Sequence, residues 1–210
     1  MRGDRGHPVF AAVYDRLGRL SERRGGMAEQ RHDLLARAFG HVVEIGSGTG
    51  LNFGHYPRAV AQVMAVEPDR HMLRRSREAA ARAPIPVHLE LVYAEDIPVE
   101  SGWADFVVST LVLCTVPDPA DTLAEVRRVL KPGGRLLFLE HVRSDSPGLA
   151  RWQDRVQRPW GFFGGGCHPN RDTVASVREA GFGLEELSRF PMPGLPVVRP
   201  HVAGVARKPF

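Results

Sequence analysis

The sequence has little cysteine and no long apolar segment, and each deficit excludes a class of protein. Its 210 residues include two cysteines, Cys114 and Cys167, which lie far apart in the chain. This count excludes a disulfide-rich scaffold, and the spacing fits no close-spaced zinc motif. The apolar run from Phe106 to Val116, which lacks charge and proline, is well short of the ~20 residues that a membrane-spanning helix needs.

The start of the chain also lacks an apolar stretch. Residues Met1 to Pro8 carry positive charge, but no hydrophobic segment of the kind found in secretory signals follows them. We therefore expect no transmembrane segment and a cytoplasmic location, where the two thiols stay reduced.

Lysine is scarce as well, although the protein is basic. The formal net charge is +4 and the pI is near 9.6, yet Lys131 and Lys208 are the only lysines. The arginines alternate with acidic residues such as Asp15, Glu22 and Asp33. This mixture predicts a solvated surface and not a basic stripe, so we expect no nucleic-acid partner.

The pattern of apolar residues changes near residue 40. Two helical stretches, Val9 to Arg24 and Met27 to Phe39, come first, and short apolar runs then alternate with helical segments. This alternation predicts βαβ units around a parallel sheet. The expected strands are His41 to Ile45, Gln62 to Val66, Val87 to Val92, Ala104 to Thr110, Arg135 to Val142, Gly183 to Phe190 and Pro200 to Arg207. The expected helices between them are Asp69 to Arg82, Asp118 to Leu130 and Arg171 to Ala180.

A turn with glycines at alternate positions, Gly46, Gly48 and Gly50, follows the first strand. Glycine lets the backbone approach a ligand closely, and ligands of open α/β sheets bind at this strand end. A dinucleotide fingerprint would need its third glycine at position 51, which is leucine. An NAD-dependent oxidoreductase is therefore disfavoured.

The pattern from Glu44 to Gly50 resembles motif I of the class I S-adenosylmethionine-dependent methyltransferases. The resemblance implies a Rossmann-like, doubly wound α/β fold with a seven-stranded, mostly parallel sheet. It also implies that Glu67 accepts hydrogen bonds from the ribose hydroxyls, while Asp96 and Ile97 contact adenine. In full, the cofactor-binding residues that it implies are Glu44, Gly46, Ser47, Gly48, Gly50, Glu67, Pro68, Asp96, Ile97, Thr110 and Leu111, with Tyr14 from the first helix.

A closer resemblance covers most of the chain. The segments 110–114, 125–134, 140–142 and 200–202 are similar to the methyltransferase-like seven subfamily, whose characterised members methylate alkyl thiols. The animal relatives carry an N-terminal hydrophobic anchor that this sequence does not show. The resemblance implies residues 1–40 as a helical cap over the cofactor site and 41–210 as the methyltransferase domain, the two folding as one unit.

The acceptor is expected to be a small lipophilic molecule, most simply a thiol. A thiol ionises near pH 8.5 with little help, whereas a hydroxyl needs a general base. His141, after the fifth strand, is the candidate base, with a structural histidine as the alternative. Cys114, Trp152, Trp160 and Phe163 are the candidate substrate contacts. A metal site joining Cys167 and His168 to His141 or His201 lacks a second close-spaced pair, so we expect no metal.

Other functions stay open at this point. The acceptor atom could be the oxygen, nitrogen or carbon of a quinol, phenol, amine or natural product. The chain could also be a non-catalytic S-adenosylmethionine-binding subunit. A nucleic-acid methyltransferase is disfavoured because no Asn-Pro-Pro-Tyr-like motif follows the fourth strand.

Overall fold

The computed structural model of the protein describes residues 26–210, which form one seven-stranded sheet with helices on both faces. The strands are β1 (Gly40–Ile45), β2 (Val60–Val66), β3 (Val87–Glu90), β4 (Ala104–Thr110), β5 (Leu130–His141), β6 (Gly183–Pro191) and β7 (Pro200–Arg207). The helices are α1 (Met27–Leu35), α2 (Arg70–Ala81), α3 (Pro119–Val129), α4 (Pro147–Phe163) and α5 (Thr173–Glu179). Short 3-10 turns cover Phe53–His55 and Pro196–Val198.

The strand order is β3-β2-β1-β4-β5-β7-β6. Strands β1 to β5 pair in parallel, and β7 runs antiparallel to both β5 and β6. The chain winds outward from β1 to β3 and then returns to place β4 on the other side of β1. This reversal opens a crevice at the carboxyl ends of β1 and β4, where such sheets bind ligands. The Rossmann-like α/β fold expected from the sequence is confirmed.

Both faces of the sheet are buried, which explains why the central strands carry apolar residues on both faces. Neighbouring residues such as Val42 and Val43 point into two different cores. Helices α3 and α5 contribute Val126 and Val177 to one core. On the other face, α1 contributes Leu35 to the second core and α2 packs against it.

Acidic caps fix the start of three helices. The side chains of Asp69, Asp118 and Asp172 accept hydrogen bonds from backbone N–H groups in the first turns of α2, α3 and α5. These caps satisfy donors that the helix itself cannot pair. The helices predicted to start at Asp69 and Asp118 begin one residue after each of these residues.

Three elements differ from the predicted ones by more than two residues. Helix α1 ends at Leu35 instead of Phe39. Strand β5 begins at Leu130, five residues earlier than predicted, because residues 131–134 form a bulge between the pairs Ala104–Leu130 and Phe106–Arg135. No element was predicted between β5 and residue 171, where the structure has the 17-residue helix α4 despite its internal Pro159.

The predicted first helix, Val9 to Arg24, lies outside the described residues. The helical cap over residues 1–40 therefore stays a prediction, and so does Tyr14 as a cofactor contact. In residues 26–210, no helix combines the length and the apolar character that crossing a bilayer requires.

A close contact between β5 and β7 predicts that added side-chain volume at Gly204 destabilises the fold. A Cβ added at Gly204 would lie 2.4 Å from Phe138 Cζ and 2.9 Å from the Glu186 carbonyl oxygen. Gly204→Ala should therefore lower the free energy of unfolding by about 1–3 kcal/mol, measured by urea denaturation. Gly148→Ala is the control, since a Cβ there meets nothing within 4 Å. Equal stability of the two variants would contradict this packing.

Candidate active site

The turn after β1 contains three glycines in left-handed backbone conformations, which only glycine adopts easily. Gly46, Gly48 and Gly50 have φ values of 55°, 56° and 81°. A Cβ at Gly46 or Gly50 would clash with Val112 or Phe53, whereas at Gly48 the nearest atom would be 4.0 Å away. Gly46 and Gly50 are thus required for packing, and Gly48 leaves free space above the turn.

Glu67 ties the end of β2 to this turn. Its Oε2 accepts a hydrogen bond from Gly48 N at 2.8 Å, and its Oε1 accepts one from Asp69 N at 2.9 Å. The side chain is 7% exposed, and burial raises its pKa to about 7. Each carboxylate oxygen keeps a second lone pair, so Glu67 can still accept from two hydroxyl groups.

A buried polar network lies next to the glycine turn. The Tyr56 hydroxyl donates to Glu44 Oε2 at 2.6 Å, and burial raises the pKa of Glu44 to about 7. Arg31 on α1 donates to the side-chain oxygen of Asn52, whose amide donates to Thr110 Oγ1. This network joins α1 and the ends of β1 and β4. Every buried member that it links has a hydrogen-bond partner, as a stable polar interior requires.

The end of β4 is shaped by a buried carboxylate on the neighbouring strand. Leu111 has a φ of 60°, a left-handed conformation that is rare for leucine. Glu140 on β5 accepts hydrogen bonds from Ser109 Oγ and from the N–H groups of residues 112–114. Burial raises the pKa of Glu140, although these four hydrogen bonds oppose the shift. Glu140 thus fixes the turn that follows β4.

This turn brings two cysteines and a histidine together. Cys114 Sγ lies 3.8 Å from His141 Nδ1, Cys167 Sγ lies 3.4 Å from the same nitrogen, and the sulfur atoms are 4.0 Å apart. Contact between the thiols lowers the pKa of Cys167 and, with burial, raises that of Cys114. The ring of His201, opposite His141 on β7, packs edge-on against it with centroids 4.5 Å apart.

The remaining predicted site residues differ in how far they are exposed. Asp96 and Pro68 are exposed near the strand ends, while Ile97 is buried in a core and its N–H donates to Glu125. Trp152 is 41% exposed and Trp160 is half-buried, both on α4. The side chain of Phe163 is not among those described. The adenine contacts at Asp96 and Ile97 stay predictions.

Comparison with known proteins identifies the family. A methyltransferase-domain model matches residues 43–138. The human thiol S-methyltransferase TMT1B is 38% identical over 173 residues, which cover 80% of this chain and 70% of that protein. The rat protein of the same name is 37% identical over 176 residues with the same coverage. The chain belongs to the class I S-adenosylmethionine-dependent methyltransferases, in the subfamily of these enzymes.

Solved structures agree on the fold. A Bacillus halodurans putative methyltransferase superimposes with a TM-score of 0.71 at 18% identity, covering 87% of this chain and 98% of that one. A Thermotoga maritima S-adenosylmethionine-dependent methyltransferase gives 0.68 at 24% identity, with coverage of 96% and 97%. Membership of the family makes S-adenosylmethionine the cofactor of this methyltransferase, as the resemblance implied.

The residues at the crevice of the methyltransferase fit that cofactor. Ser47 Oγ and Thr49 Oγ1 in the glycine turn are buried without a hydrogen-bond partner among the described residues. Free space lies above Gly48, and Glu67 keeps acceptor capacity beside it. Unpaired buried hydroxyls are costly, so a ligand that supplies polar groups here would stabilise the turn.

Several residues that build the methyltransferase site were missed by the sequence interpretation. Arg31, Asn52 and Tyr56 carry no motif signal, because their partners are distant in sequence and become visible only in the fold. Glu140 did carry a signal, since an acid that ends the apolar run of β5 must find buried donors. Cys167 was considered only with its neighbour His168 and not with Cys114.

The buried Glu44 of this methyltransferase predicts a pH dependence of stability. Its folded pKa of about 7 exceeds the unfolded value of 4.5, so the folded state binds the proton more tightly. Its contribution to stability is therefore present below pH 4.5 and lost as pH rises to about 7. Glu44→Gln should reduce this loss by up to about 3 kcal/mol in urea denaturation at several pH values.

Glu78→Gln provides the matched control for that measurement. Glu78 is an exposed carboxylate on α2 that pairs with Arg82 one turn further on. Its removal should leave the pH profile unchanged. Superimposable profiles for Glu44→Gln and the native protein would contradict the burial of a protonated Glu44.

Proposed function

We propose that this enzyme transfers the methyl group of S-adenosylmethionine to the sulfur of a small, lipophilic thiol. The supporting observation is the 33–38% identity, over 80% of the chain, to four mammalian proteins named thiol S-methyltransferase. The contacts at the crevice are consistent with this chemistry. S-adenosylmethionine, when bound, supplies a methyl group on a positively charged sulfur.

In this proposal the glycine turn and Glu67 hold the cofactor. Glu67 accepts from the ribose hydroxyls with the lone pairs that Gly48 and Asp69 leave free. Backbone at Gly46 to Gly50 approaches the cofactor closely, and Thr110 and Leu111 line the crevice from the β4 side. Asp96 provides an exposed carboxylate at the adenine end. Precise positioning is the main contribution a protein makes to such an in-line displacement.

The acceptor side of the crevice has few free bases, which favours a thiol acceptor over a hydroxyl group. The carboxylate of Glu140 is occupied by four donors. Burial, aided by the nearby His141, lowers the pKa of His201 to about 4, which makes its imidazole a weak base. His141 itself faces the two cysteine sulfurs. A thiol needs little help to ionise, so it suits a site with few free bases.

Helix α4 supplies the apolar surface in this proposal. Trp152 is partly exposed, and Phe162 is 83% exposed at the end of the helix. Exposed aromatic side chains near a crevice are typical of sites that bind lipophilic molecules. We assign Trp152 and Trp160 to the acceptor, and Phe163 keeps its predicted role there.

Three further features of the proposal are expectations from the sequence. The cytoplasmic location follows from the sequence analysis, as does the expectation that the acceptor is a small molecule and not a nucleic acid. The cap formed by residues 1–40 likewise belongs to the proposal.

Loss of the Glu67 carboxylate should weaken cofactor binding. Glu67→Ala leaves the ribose hydroxyls without their acceptor, so we expect an affinity loss of about 1–3 kcal/mol, or roughly 5- to 150-fold, in isothermal titration calorimetry. Glu90→Ala is the control, because Glu90 is an exposed carboxylate at the end of the adjacent strand β3. An unchanged affinity in Glu67→Ala would show that the cofactor contacts are wrongly assigned.

Acceptor choice is tested directly by product analysis. The purified enzyme, incubated with S-adenosylmethionine and a mixed panel of alkyl thiols, phenols, quinols and amines, should yield methyl thioethers. Mass spectrometry identifies each product and its methylated atom. Glu67→Ala serves as the negative control at cofactor concentrations that leave it unsaturated. Methylation of oxygen, nitrogen or carbon without any thioether would refute the proposed acceptor.

A further inference from the structure

The two cysteines of the chain meet although the sequence separates them. Cys114 follows β4, Cys167 follows α4, and both contact the imidazole of His141 at the end of β5. Among the described residues, these three side chains bring their donor atoms within 4.8 Å of one another, as a shared metal ion requires. Core packing alone does not explain why both thiols face the same ring nitrogen.

The distances match a tetrahedral metal site. Bonds of about 2.3 Å to sulfur and 2.1 Å to nitrogen place two sulfur ligands about 3.8 Å apart and a sulfur and nitrogen about 3.6 Å apart. The observed separations are 4.0 Å between the sulfurs and 3.8 and 3.4 Å from the sulfurs to Nδ1. Each agrees with the ideal value to about 0.2 Å, so the donors can bind one ion without rearrangement.

The fold holds each donor in place. Cys114 N donates to Glu140, and the Cys114 carbonyl accepts from His168 N at 2.7 Å, which fixes Cys167 beside it. Arg171 donates to the carbonyls of Leu113 and Val116 on either side of Cys114. The His201 ring packs against His141 and limits its rotation. Such supporting contacts orient the ligands of metal sites.

The donor set points to zinc and to an open coordination position. Thiolate and imidazole ligands select soft or borderline metals over Mg²⁺ and Ca²⁺. Closed structural zinc sites have four protein ligands, whereas the described residues supply three, as in catalytic sites that leave one position for substrate. His141 is half-buried, so one side of the cluster is not sealed.

We propose that Cys114, Cys167 and His141 bind a zinc ion whose fourth position takes the sulfur of the thiol acceptor. Zinc binding stands independently, while the role of the fourth position rests on the proposed thiol methylation. On binding, the acceptor sulfur replaces a water molecule on the zinc, and the thiol proton is released to solvent. The bound thiolate keeps a lone pair for the methyl group, and the zinc is neither oxidised nor reduced.

This proposal revises two expectations from the sequence. A metal was not expected, because the cysteines are not closely spaced, yet the fold provides the missing proximity. His141 was the candidate general base, and it becomes a metal ligand through Nδ1. Cys114 then contacts the acceptor through the shared ion rather than by its own side chain.

The first test measures metal binding. Protein stripped with a chelator and kept reduced with a phosphine is titrated with Zn²⁺ against a competing chromophoric chelator. We expect one zinc ion per chain, and an affinity lowered at least about 100-fold in Cys114→Ser, Cys167→Ser and His141→Ala. His88→Ala, an exposed histidine on β3, is the control and should bind zinc normally. Circular dichroism and S-adenosylmethionine binding report whether each variant folds.

The second test examines the open position with Co²⁺ in place of zinc. The spectrum should show thiolate-to-metal charge transfer and the intense visible bands of tetrahedral Co²⁺. Adding ethanethiol should increase the charge-transfer band saturably and release one proton per bound thiol. A spectrum that ethanethiol leaves unchanged would overturn the role of the fourth position.

The outcomes separate this proposal from the proposed function. Zinc binding that is absent, or unaffected by all three substitutions, overturns the metal site, as does a Cys114–Cys167 disulfide whose reduction restores no zinc affinity. Thiol methylation that persists at full rate in metal-free protein refutes the role of zinc but leaves the proposed function intact. Zinc and ethanethiol binding without methylation of any thiol refutes the proposed function and leaves the metal site intact.

Discussion

The carboxylate of Glu140 is the contact on which the acceptor side of the crevice depends. It is fully buried at the end of β5, and an isolated buried carboxylate would be strongly unfavourable. Four donors from the end of β4 and its following turn compensate for that burial. The same contacts that satisfy Glu140 therefore determine the path of the chain from Ser109 to Cys114. The left-handed Leu111 lies within this path, where the surrounding hydrogen bonds maintain its unfavourable conformation.

A second carboxylate performs a similar task on the cofactor side. Glu67 ends β2 and holds Gly48 of the turn after β1, so adjacent strand ends are joined by one side chain. The turn thus has its shape before a ligand arrives. Binding a cofactor then costs little ordering of the protein, which is the benefit of a preorganised site. The two carboxylates flank the point where the sheet reverses its winding direction.

The fold and the cofactor motifs could be predicted from the sequence alone. The features that could not be predicted have physical reasons. Strands and helices of the βαβ part follow from local patterns, so β4 and β7 were predicted with their observed boundaries. Helix α4 was missed because Gly and Pro residues weaken its local signal, and its stability comes from tertiary contacts. The cluster at His141 was missed because proximity between Cys114 and Cys167 is created by folding and has no local signature.

The side chain of Gln153 fastens helix α4 to three other segments of the chain. The amide nitrogen of the fully buried Gln153 lies 3.0–3.2 Å from the carbonyl oxygens of Val142, Pro169 and Val197, which belong to three different segments, so its two N–H groups serve three acceptors and one of them is shared. Moving the helix away from the sheet would leave all three acceptors without this donor at once. The three bonds therefore oppose even a small displacement of the helix from these segments. An acceptor that entered by displacing α4 would have to break these buried hydrogen bonds together with the contacts of Asp154 to Arg143 and Asn170, so displacement of the helix is a costly route to the crevice.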